Sequence, residues 1–76
     1  MWFKPTRQCD RGMLVQLKSG EYLLIKNMRW CRLNGESRKN WVYDGAVIEA
    51  RPAGAIRIVT GMSGVLESDI KEIVVT

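Results

Sequence analysis

Seven glycines, at positions 12, 20, 35, 45, 54, 61 and 64, cut the chain into short segments and are spaced as turn punctuation, not gathered into a phosphate cradle. Between them, short β-branched runs recur and helical periodicity is scarce, which points to strands joined by turns. Met13 to Lys18 alternates, with Met13, Val15 and Leu17 on one face, and Ser19-Gly20 supplies a tight turn. Tyr22 to Leu33 is long for one strand, and its alternation slips where the polar Asn27 takes the parity of Leu23 and Ile25. A bulge or sharp bend near Lys26-Asn27 would reset the faces and make Met28 and Trp30 the inward pair.

Asn34-Gly35 opens a polar loop that runs to Asn40. Trp41 to Ala50 reads as a third strand with a bulge or bend at Asp44-Gly45, followed by a turn at Arg51-Pro52-Ala53-Gly54. Ala55 to Thr60 reads as a fourth strand with Ile56 and Ile58 facing one way, and Gly61-Met62-Ser63-Gly64 as a break. Val65 to Asp69 is expected to form one short 3₁₀ turn, and Ile70 to Val75 a closing strand. A single helical turn before a short last strand is similar to the pattern of five-stranded SH3-like barrels, and the resemblance covers most of the chain from Arg11 onward. It implies a small all-β barrel. The alternative is an α+β domain, an antiparallel sheet with a C-terminal helix, because Val65, Leu66, Ile70 and Ile73 also fall at helical spacing. The terminal Ile73-Val74-Val75-Thr76 is poor helix material, since β-branched side chains lose χ1 freedom in a helix.

With 76 residues the chain allows one domain, 1–76, in which residues 1–10 form an N-terminal arm carrying Trp2 and Phe3. A chain of this size buries only about 60% of its unfolded surface, so self-association is an expected supplement to its stability. Two cysteines, Cys9 and Cys31, and no histidine cannot close a four-ligand zinc site, and the pair reads as reduced thiols. The start carries no apolar signal-peptide run and no stretch is long enough to span a membrane, so a cytoplasmic location without membrane contact is expected.

Catalysis finds little material. Nucleophilic triads of the Ser–His or Cys–His type need a base that is absent. The carboxylates Glu67, Asp69 and Glu72 read as groups that solvate the last turn and compensate Lys71. The chain is therefore expected to be a non-enzymatic module with no cofactor and no metal. A site built by symmetry copies of a small barrel is the weakest alternative.

Charge is more directive. Residues 1 to 41 carry nine Lys or Arg against three acids, a balance of +6, whereas residues 42 to 76 carry three against five, −2, which together give the net +4. Basic residues gather around two tryptophans in Lys26-Asn27-Met28-Arg29-Trp30-Cys31-Arg32 and Arg38-Lys39-Asn40-Trp41. That composition suits a polyanion, with cations for phosphates and rings for bases. The expected nucleic-acid-binding set is Lys26, Arg29, Trp30, Arg32, Arg38, Lys39 and Trp41. Two registers are open. In one the tryptophans fill the core, and in the other Trp30 is exposed beside Lys26 and Arg32, with Trp41 and Tyr43 extending the platform. A second function, from a different class, is a protein-interaction or assembly module of mobile-element or phage type that forms a homo-oligomer through Trp2, Phe3 and exposed strand edges.

Overall fold

The computed structural model describes residues 6–33, 35, 37–50 and 56–75. They form five strands: β1 (Leu14–Leu17), β2 (Tyr22–Cys31), β3 (Asn40–Ala50), β4 (Ile56–Leu66) and β5 (Ile70–Val75). A 3₁₀ turn over Glu67–Asp69 separates the last two. Every neighbouring pair is antiparallel, in the order β4-β3-β2-β1-β5, so the fold is all-β. No ladder joins β4 to β5 among the described residues, and the sheet is open. The C-terminal helix of the alternative fold does not form. Val65 and Leu66 complete β4, helical geometry lasts three residues, and the β-branched tail is extended.

A line of irregularities crosses the middle of the sheet. On β2, Lys26 is an extra residue between Ile25, opposite Gly45, and Asn27, opposite Asp44. On β4, Ser63 and Gly64 stand against Asp44 alone, since Tyr43 pairs with Val65 and Gly45 with Met62. Extra residues placed in this way raise the local twist and bend the strands. These are the bends expected at Lys26-Asn27 and Asp44-Gly45. Gly45 is fixed by close approach: a Cβ there would lie 2.0 Å from the Leu24 carbonyl oxygen. Gly64 is fixed by its φ of +75°, which side chains rarely adopt. The fourth strand is therefore longer than the sequence suggests. Gly61 to Gly64 does not end it, because a bulge needs the same glycine conformation as a turn.

The bend brings both halves of the sheet onto one core. Val15, Leu17, Leu23, Ile25 and Val47 from one half share a cluster with Trp41, Tyr43 and Val65 from the other, and Cys9 joins them from the segment before β1. Met13, Met28 and Trp30 pack against its margin, as the inward register requires. The molecule is nevertheless long, 50 × 24 × 18 Å, with a Cα radius of gyration of 13.2 Å. A compact chain of this length has a radius of gyration of about 11 Å. The β3–β4 hairpin is the part with little packed over it: Ile56, Ile58 and Val59 are 64%, 61% and 52% exposed.

Candidate binding surface

The β2–β3 hairpin ends in the ladder pair Cys31 with Asn40. Arg32 leaves β2 just beyond that pair, and Arg38 and Lys39 lead into β3, so the three cations collect at one end of the sheet, all exposed. Of the expected loop, Gly35 has a left-handed φ of +80° and Ser37 is exposed. Asn34 and Glu36 lie outside the described residues, as does Arg51.

One ladder step inward, Trp30 faces Trp41, with ring centroids 5.5 Å apart and planes tilted by 56°. Trp41 is buried in the core, and the Arg7 guanidinium lies 5.6 Å from its ring centre. Tyr43 is fully buried. Trp41 and Tyr43 thus fill the core and do not extend a stacking platform, because the bent sheet needs large side chains beneath it. Trp30 is half-buried and remains the aromatic residue beside the cationic end.

The other two basic residues are placed differently. Lys26 is exposed at the bulge, five residues along β2 from Cys31 or about 17 Å of extended chain. Arg29 is already engaged. Its Nε and Nη2 each donate to the Asp44 carboxylate at 2.9 Å. The same carboxylate accepts from the Gly64 amide at 3.1 Å and from Asn27 Nδ2 at 3.3 Å, so one side chain joins β2, β3 and β4 at their shared irregularity. Partial burial would raise the Asp44 pKa, but these hydrogen bonds, Arg29 first, outweigh it and hold the carboxyl below its ordinary value. No spacing rule exposes this clamp in the sequence. Its signal is the acid directly before a glycine at which the alternation breaks.

A second polar node went unread. The Tyr43 hydroxyl donates to Glu67 Oε1 at 2.6 Å, and the Gln8 amide donates to the same oxygen at 2.9 Å. The Cys9 amide donates to the Tyr43 hydroxyl at 3.4 Å. Burial first, and the hydrogen bond to Glu67 second, push the Tyr43 pKa up. The Cys9 thiol is also raised, by burial and then by the Glu67 charge, which makes it a poor nucleophile. Both cysteines are free, Cys9 buried and Cys31 half-buried. Among the described residues no group of His, Cys, Asp or Glu side chains is placed to hold a metal ion, and no helix is long and apolar enough to cross a membrane. Trp2 and Phe3 lie outside the described residues.

The chain matches no protein-family model, no curated protein and no solved structure.

Proposed function

We propose that the protein is a partly open SH3-like barrel that acts without catalysis, binding nucleic acid through the β2–β3 end. Three features support the fold reading: the strand order β4-β3-β2-β1-β5, the 3₁₀ turn before the last strand, and the bulges that coil the sheet onto one core. The seam such a barrel would close lies between its two edge strands, β4 and β5.

The observation that carries the function is the gathering of Arg32, Arg38 and Lys39, all exposed, beside the partly open Trp30. Arg29 belongs to this reading only as a structural cation, because Asp44 already neutralises it. Lys26 would touch a phosphate only on a strand long enough to run along β2.

The test is a titration of the full chain with fluorescent single- and double-stranded DNA and RNA at several salt concentrations. Three phosphate contacts give a log–log salt slope of roughly −2 for single strands and roughly −3 for a duplex. Arg38→Ala with Lys39→Ala should weaken binding and remove about two-thirds of that slope. A single-strand preference lost in Trp30→Leu would assign the ring to base stacking. Absence of binding at low salt, or a slope unchanged in the double variant, overturns the reading.

A further inference from the structure

Register partners in an antiparallel ladder share a face, so the core residues identify which face is which. Leu23 and Val47 pair and lie in the core, so their neighbours Tyr22, Leu24, Ala46 and Ile48 face the other way. Beyond the bend that outer face stays apolar over β2, β3 and β4. One row runs Val75, Leu14, Leu24, Ala46, Gly61, and the next runs Glu72, Gln16, Tyr22, Ile48, Ile58, polar on β5 and β1 and apolar from β2 to β4, with Ile56 beyond it opposite Ala50. Antiparallel sheets normally keep such a face polar. Here the runs Tyr22 to Ile25, Ala46 to Ile48 and Ile56 to Val59 are apolar at every position except Arg57, so both faces are apolar where the strands meet.

We infer that a second copy of this chain docks on the outer face of the β3–β4 hairpin, around Ile56 and Ile58, across a two-fold axis. Charge selects a copy over a charged partner. On the hairpin beyond the bend the charged side chains among the described residues are Glu49 and Arg57, which pair with each other and take the parity of the core face. The outer face there exposes Ile56 and Ile58, beside the buried Ala46 and Ile48. A two-fold axis near Ile58 therefore sets apolar side chain on apolar side chain, with no like charges opposed. With that axis running across the strands, the two cationic ends point away from each other. Eight residues of β3 separate Asn40 from Ile48, about 26 Å of extended strand. That exceeds the screening length of about 8 Å at physiological salt, so the +4 carried by each copy opposes the contact little.

Face docking is favoured over strand addition at the β4 edge. Val59 is an extra residue between Ile58, opposite Ile48, and Thr60, opposite Val47. With the Ser63-Gly64 bulge it breaks the regular ladder that a new strand would need. The inference does not depend on nucleic-acid binding, which uses the other end of β3. It differs from an assembly through Trp2 and Phe3 in the residues it requires.

The experiment is sedimentation velocity on the full chain across a concentration series, for the wild type, for Ile56→Glu with Ile58→Glu, and for Trp2→Ala with Phe3→Ala. Because both isoleucines are more than 60% exposed, the glutamate pair should leave the monomer's fold and circular dichroism intact. The expected result is a wild-type dimer, weakened about 100-fold or more by the glutamate pair and only mildly changed by the arm variant. Raised salt should leave the dimer in place. As an independent measurement, Ile58→Cys should give a covalent dimer under mild oxidation that the wild type, with its own two cysteines, does not. A wild-type monomer throughout the series, a dimer untouched by the glutamate pair, dissociation by the arm variant alone, or no covalent dimer would each overturn the inference.

Discussion

The two ends of β3 deal with an apolar outer face in opposite ways. Near Asn40, Val42 points away from the core yet is fully buried, set between its register partners Arg29 and Leu66. Arg29 is pinned by Asp44, so the side chain opposite Val42 on β2 is held in place and its charge is paired. Toward Ala50 the outer face is covered only in part: Ala46 and Ile48 of β3 are buried, but Ile56 and Ile58 of β4 stand open. The contrast teaches that outward direction does not decide exposure. A charged side chain held in place can roof an apolar neighbour, and where no such side chain exists the surface is left for something else to cover.

The hinge between the two ends is the place where the comparison breaks most severely. Gly45→Ala would put a carbon 2.0 Å from a backbone oxygen of Leu24, which cannot move as a flexible side chain does. The bulges on β2 and β4 must then shift together. We expect a loss of about 3 kcal/mol or more, read as a large drop in the thermal midpoint or failure to fold. A midpoint within a few degrees of the wild type would show that the bend does not depend on this close approach.

A smaller effect tests the roof itself. Asp44→Ala removes the acceptor for the Gly64 amide in its bulge and releases Arg29 from above Val42. Unpairing the part-buried amide costs about 1–2 kcal/mol. The exposed ion pair with Arg29 contributes little of its own. The sign with pH follows from the lowered pKa. The Asp44 contribution is complete above the ordinary value of 3.8 and is lost as pH falls through the lower folded value. Acid unfolding should therefore begin at higher pH in the wild type than a chain with a neutral, well-tolerated group would show. The difference in stability between wild type and Asp44→Ala should shrink below pH 4 and stay flat between pH 5 and 8.

These residues also mark how far the sequence could be read. Five strands, the closing strand at Ile70 to Val75 and the bend at Lys26-Asn27 were legible, because alternation and its interruptions are local signals. Gly61 to Gly64 misled, since a bulge and a turn call for the same positive φ, and only the partner strand distinguishes them. Burial of Trp41 and Tyr43 followed from the coiling of the sheet, which the spacing of basic and aromatic residues does not encode. Neutralisation of Arg29 needed an acid 15 positions away, and the Glu67 node joins residues 24 and 59 positions apart. The apolar outer face was in plain view as runs without alternation, whose length alone says that both faces are apolar.

The smallest expected effect concerns that node. Tyr43→Phe keeps the ring in the core and removes only the hydroxyl that donates to Glu67 and accepts from the Cys9 amide. The loss should be about 1–2 kcal/mol in chemical denaturation, with an unchanged m-value if the fold is kept. Its pH dependence runs opposite to that of Asp44. Burial and the bond to Glu67 hold the phenol protonated, whereas in the unfolded chain it ionises from its ordinary 10.0. Wild-type stability from this group is thus full below pH 10 and declines as pH rises above it. The phenylalanine variant should lose that part of the alkaline decline, so the two stability curves converge above pH 10. Parallel curves would mean that the hydroxyl is solvated in the folded protein, and that the segment from Gln8 to Cys9 is held against the sheet by burial of Cys9 and the bond from the Gln8 amide to Glu67.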